Sequence, residues 1–138
     1  MPTTPNSIVT PQAPKSAYVV YGTAQATYPP TASPTNTALL LEAGSNGGRL
    51  TRLYAMPQES TGTTGVVQVF RSNDGGETKY WADAAAVTND TVSATDAPIR
   101  VDFGYSDDNP MILAPGEQLY VAPSIGKSFV FVAEWADY

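Results

Sequence analysis

The 138-residue chain contains no cysteine and no histidine. Without cysteine there are no disulfide staples, no thiolate nucleophile and no zinc cluster of the usual kind, and the redox compartment is left open. Without histidine the chain cannot build a Ser-His-Asp triad, an imidazole general base or a histidine metal site. Basic residues are also few. Seven Lys and Arg stand against thirteen Asp and Glu, a formal net charge of −6, and the isoelectric point is about 4.3. Such a surface repels phosphate, and the cations (Lys15, Arg49, Arg52, Arg71, Lys79, Arg100, Lys127) are scattered, with only Arg49 and Arg52 close together. Nucleic acid is therefore excluded as a partner. No apolar run approaches the roughly 18–20 residues of a membrane-spanning helix, so no membrane partner is expected either. The opening MPTTPNSIVTPQAP lacks the charged and apolar regions of a signal peptide, and the expectation is a soluble protein made in the cytoplasm.

What is present points to one β-rich domain. A chain of this length can bury roughly 65–70% of its unfolded surface. Seven of the twelve prolines fall in the first 34 residues, and residues 1–16 carry little to bury, so they are read as an extended, polyproline-like arm. From residue 17 the text becomes short β-rich runs cut by Gly, Asn, Asp, Ser and Pro. These are AYVVYGTAQAT (17–27), TALLLEA (37–43), RLTRLYAM (49–56), GVVQVF (65–70), TKYWADAA (78–85), PIRVDF (98–103), EQLYVA (117–122) and SFVFVAEW (128–135). In the last run Phe129, Phe131, Ala133 and Trp135 face one way, with Ser128, Val130, Val132 and Glu134 opposite. With apolar residues on both faces, this strand is expected to be sandwiched rather than at an edge. In PIRVDF the odd face carries Ile99, Val101 and Phe103. The one helix candidate, WADAAAV, is short and uncapped. The predicted fold is all-β: an antiparallel eight-stranded sandwich over residues 17–138, jelly-roll-like, with Phe129, Phe131, Val101, Phe103, Leu119 and Val121 in its core. An immunoglobulin-like sandwich is the runner-up.

The stretch RSNDGGETKYW, beginning at Arg71, resembles the Asp-box of sialidases and related propeller proteins, although Lys79 and Tyr80 intervene before Trp81. That box is itself a structural hairpin, and Asn73-Asp74-Gly75-Gly76 supplies turn residues between two strand-like runs, so a β-hairpin turn is predicted. Asp107-Asp108, or Asp83 with Glu77, would be the carboxylates of a glycosidase. Nothing pairs them across a cleft, and adjacent Asp residues before Asn-Pro read as a solvated turn. Tyr80, Trp81 or Trp135 would be the aromatic platform of a carbohydrate-binding module. In a small sandwich such rings more often fill a core or an interface. No catalytic residue, cofactor or metal site is assigned.

The order NGGRLTRLYAMPQ, then VVQVFRSNDGG, then MILAPGEQLYVAPS leading into SFVFVAEWADY resembles, over roughly residues 45–138, the jelly-roll decoration or cement proteins of tailed bacteriophages such as the Bordetella-type podoviruses. The resemblance implies a non-enzymatic virion protein that sits on the capsid exterior as a homodimer and stabilises contacts between major capsid protein subunits. A stable β core, an acidic outer surface and an extended segment are what such a role requires. The expected capsid contacts are Ile8, Val9, Pro11 and Lys15 in the arm, with Arg49 and Arg52 on the sandwich. The apolar character of both faces of Ser128–Trp135 also motivates a two-fold dimer. A carbohydrate- or receptor-binding β-module is the alternative, and a carboxylate-only glycosidase is a more remote one.

Overall fold

A computed structural model of the chain describes residues 13–30 and 34–138. Nine strands follow one another: β1 (Ala13–Tyr21), β2 (Ala38–Glu42), β3 (Gly48–Pro57), β4 (Gly65–Ser72), β5 (Tyr80–Val87), β6 (Val101–Asp102), β7 (Met111–Leu113), β8 (Gln118–Pro123) and β9 (Phe129–Asp137). They form two antiparallel sheets, ordered β1-β9-β3-β6 and β2-β8-β4-β5, with β7 also paired to β3. Successive strands near each end alternate between the sheets, which makes the double Greek key of a jelly roll.

The predicted eight strands are nine because one strand position is split. The first half of β3 pairs with β7, Gly48 opposite Leu113 and Leu50 opposite Met111. Its second half pairs with β6, Tyr54 opposite Asp102 and Ala55 opposite Val101. Between them, once the Phe103 N–H has donated to Leu53 O (3.0 Å), the segment 104–110 leaves the ladder. Gly104 takes a positive φ of 86°, and Pro110 cannot donate a ladder hydrogen bond. The expected strand over 98–103 thus shrinks to two residues, and Ile99, placed on its inner face, is 55% exposed.

The core lies between the sheets. Phe129, Phe131, Leu50, Leu53, Val67, Val69, Leu119 and Val121 are fully buried, while Phe103 packs half-buried against them. In β9 the alternation is strict, and the strand sits between β1 and β3, away from any edge. Only one of its faces is fully covered, however: Val130, Val132 and Ala136 on the other are half-buried and Glu134 is exposed. The weak helix candidate is instead β5, held in antiparallel register by β4. At the other end of the sequence, β1 begins at Ala13 and pairs with β9 from Ala13 opposite Asp137 to Tyr21 opposite Phe129. Four residues assigned to the arm therefore belong to the sandwich.

The outer face of β4 holds a further departure. Gln68 and Phe70 point away from the inter-sheet core yet are fully buried. The β1–β2 connection crosses that face. The Gln25 N–H donates to Pro123 O (2.8 Å), Gln68 Nε2 donates to Gln25 O (3.0 Å), and Lys79 Nζ donates to Pro34 O (3.1 Å).

RSNDGGETKYW is a hairpin connection between β4 and β5, as expected. Ser72 Oγ accepts from the Gly76 N–H (2.9 Å) and donates to Asp74 Oδ1 (2.8 Å), which also accepts from the Thr78 N–H (2.9 Å). These donors hold the Asp74 carboxyl below its ordinary pKa, the Thr78 N–H first and the Ser72 hydroxyl second. Gly75 and Gly76 both have positive φ, 76° and 92°, but a Cβ on Gly75 would meet open space whereas one on Gly76 would strike the Tyr120 hydroxyl. Thermal unfolding should therefore separate two alanine variants. Gly75→Ala is expected to cost about 1 kcal/mol of backbone strain, and Gly76→Ala about 2–3 kcal/mol, because the collision adds to that strain. Equal losses would mean that Tyr120 moves aside freely.

Candidate functional site

The outer face of the β1-β9-β3 sheet carries a groove of about 700 Å³. Its floor is the outward row of β9, Val132, Glu134 and Ala136; Pro14, Ser16 and Tyr18 of β1 form one wall, and Arg49, Thr51 and Tyr54 of β3 the other. A β-bulge builds the second wall. Leu50 pairs with Trp135 and Arg52 with Glu134, which leaves Thr51 as an extra residue. Strict alternation from Leu50 would turn Arg52 and Tyr54 inward. The bulge instead keeps Thr51 and Arg52 both half-exposed, returns Leu53 to the core and leaves Tyr54 half-exposed.

Three of the residues proposed as capsid contacts meet at or beside this groove. Lys15 lines one end, but its ammonium is engaged within the fold: Nζ donates to Asp137 Oδ2 (2.6 Å) and lies 4.9 Å from the Trp135 ring centroid. Asp137 is itself held by the Gly44 N–H (2.8 Å), so Lys15 ties the start of β1 to the end of β9. Arg49 Nη2 donates to the Asp107 carbonyl, and its Nε is buried without an acceptor. Arg52 pairs with Glu134 at 3.6 Å. Ile8, Val9 and Pro11 lie outside the described residues.

Tyr18, Tyr54, Thr51 and Glu134 were not singled out from the sequence. Period-two alternation in SAYVVY and FVFVAEW was the available signal for Tyr18 and Glu134. The spacing of three between Leu50 and Leu53 was the signal for the bulge.

The aromatic platform expected of a carbohydrate-binding module does not assemble from the nominated rings. Trp135 is buried. Tyr80 and Trp81 are exposed but adjacent on β5, so their side chains point to opposite faces. The partner of Trp81 is Tyr28, at 5.7 Å between centroids and tilted by 58°. Tyr54 is flanked by cations, with the guanidinium of Arg52 5.5 Å and that of Arg100 4.7 Å from its ring centroid. Of the nominated carboxylates, Asp83 accepts the Tyr105 hydroxyl (2.7 Å); Asp107 meets Arg49 through its backbone carbonyl and not its carboxylate.

A second polar group is more deeply set. Arg71 donates through Nε and Nη2 to the two carboxylate oxygens of Glu117 and through Nη2 to Ile112 O (2.6 Å). Glu117 Oε1 also accepts from the Ala114 N–H (2.8 Å). Burial and the Asp83 contact raise the Tyr105 phenol well above its ordinary pKa. Arg71 and Glu117 thus form a structural clasp linking β4, β7 and the approach to β8, while the Tyr105–Asp83 bond ties the segment after β6 to β5.

No protein-family model matches the chain, and no curated protein does. A solved structure similar to it is that of Eiger TNF from S. frugiperda, at 14% identity and a TM-score of 0.48, covering 92% of this chain and 96% of that one.

Proposed function

We propose that this chain is a structural virion protein that binds the outside of a phage capsid, bridges major capsid protein subunits, and does so as a homodimer. The observation that supports this reading most is where the N-terminus joins the sandwich. Ala13 of β1 and Gly48 of β3 both register against Asp137, so β1 begins at the end of the groove that holds Arg49. Residues 1–12 carry Ile8 and Val9 among Pro, Thr and Ser and no charged side chain, and the half-polar sheet face carries Tyr18, 69% exposed, and Val20, 55% exposed. Two recognition elements then act on the same neighbour, and proline lowers the entropy of ordering the first of them. The resemblance to cement proteins points to the same role.

Because β1 starts at Ala13, the informative truncation removes residues 2–12. Thermal unfolding of the isolated domain should stay nearly unchanged, while retention on empty phage heads in co-sedimentation should fall. Equally tight saturation by the truncated chain would put binding on the sandwich alone, and failure of the full chain to co-sediment would refute the assignment. Imaging of decorated heads tests the dimer: copies in two-fold pairs support it, and isolated copies at every position refute it.

A further inference from the structure

We infer that the groove over β9 seats an extended acidic segment of a protein partner, with one carboxylate of that segment on Arg49. The side chains of its floor, Val132, Glu134 and Ala136, recur at every second residue, about 6.6–6.8 Å apart. That is the side-chain repeat of an extended peptide lying along the strand. The trough runs with the strands because its walls are the neighbouring strands themselves. A sugar ring, by contrast, needs an open aromatic face: Tyr54 has a guanidinium on hand from both Arg52 and Arg100, which leaves Tyr18, 69% exposed, as a single ring rather than a platform.

The lining carries Lys15 and Arg49 against Asp107 and Glu134, and pairing narrows the chemistry of the occupant. Five of the seven cations stand in ion pairs: Lys15 with Asp137, Arg52 with Glu134, Arg71 with Glu117, Arg100 with Asp102 and Lys127 with Glu59. Among the described residues, Arg49 has no carboxylate within ion-pair distance. It is nevertheless held in place by the Asp107 carbonyl, with Nε lacking an acceptor. Because Nε is buried, a partner's carboxylate reaches this guanidinium through its Nη groups, opposite Ala136 rather than Glu134, which is already paired with Arg52. The protein as a whole is acidic, so recognition of an acidic segment here is local and short-ranged, and it weakens with salt. That the partner belongs to a capsid shell rests on the function proposed above, while the chemistry of the groove does not.

The test uses the full chain, isotope-labelled for NMR, and needs no capsids. The probes are a capped Thr/Val pentapeptide with a central aspartate, the same peptide with asparagine in its place, and sodium glucuronate. The expected result is that the aspartate peptide shifts the Arg49 Nε–H and the Val132 and Ala136 amides at millimolar concentration. The asparagine peptide should bind about tenfold more weakly, and Arg49→Gln should abolish that difference. Arg49→Lys, which keeps the charge but not the fork, should fall between. Absence of shifts with the aspartate peptide, equal binding of the two peptides, or shifts with glucuronate as large as those with peptide would each overturn the inference. Co-sedimentation of the wild-type chain with phage heads can fail while this titration succeeds, so the two readings fall separately.

Discussion

Replacing Phe131 with alanine should lower the stability of the domain by about 3–5 kcal/mol, which in a chain of this size means a fall of roughly 10–20 °C in Tm. Phe131 is fully buried on the central strand of its sheet, opposite Val19 of β1 and Ala55 of β3, and 6.4 Å from the ring of Phe129. Truncation deletes the apolar surface of a whole ring and leaves a cavity, because neither neighbouring strand can move in without breaking its ladder. Domains of this kind have about 5–15 kcal/mol in total, so the variant should approach the limit of folding at physiological temperature. Calorimetry or denaturant titration measures the loss, and a value below about 1 kcal/mol would contradict this packing. Val130→Ala is the control on the same strand. Its side chain is half-buried on the outer face, and its loss should cost about 1 kcal/mol or less.

The contrast between those neighbours shows what the sequence makes legible. Alternation in FVFVAEWAD assigned Phe129, Phe131 and Trp135 to one face because a strand has no other way to arrange side chains, and the structure buries all three. Two things were hidden from that rule. In RLTRLYAM the bulge at Thr51 shifts the period by one residue, which is why Arg52 and Tyr54 lie on the outer face with Arg49, a grouping that strict alternation forbids. In GVVQVF, both faces of β4 are buried although only one meets the other sheet. The strand expected over 17–27 ends at Tyr21, and its remainder opens the β1–β2 connection, where Gln25 bonds Pro123 and Gln68 and covers the second face of β4, a contact that local alternation does not reveal. The candidate site suffers most from such effects. Lys15 was marked for its charge alone, and only the register of β1 on β9 reveals that its ammonium already belongs to Asp137.

Glu117→Gln is expected to destabilise the domain by about 2–3 kcal/mol near neutral pH, and by progressively less in acid. The carboxylate is nearly inaccessible, 8% exposed, while the Arg71 side chain is one-third exposed. Removing one partner of a buried pair typically costs about 3–5 kcal/mol, and the exposure of Arg71 lets water compensate part of the charge left behind. Burial by itself would raise the Glu117 pKa. The hydrogen bonds from Arg71 and from the Ala114 N–H, with the charge of Arg71, outweigh it and hold the carboxyl below its ordinary value of 4.5. A carboxyl lowered on folding stabilises the native state fully above its unfolded pKa, and that contribution is lost as pH falls through the lower folded value. The unfolding curves of the wild-type and E117Q proteins should therefore converge as pH drops below about 4.5, and a gap independent of pH would show that Glu117 acts through its shape and amide-accepting oxygen rather than its charge. A double replacement, Arg71→Met with Glu117→Leu, separates the pair from its desolvation cost. It should be less damaging than the sum of the two single changes, because no charge or polar atom of the pair remains buried without a partner.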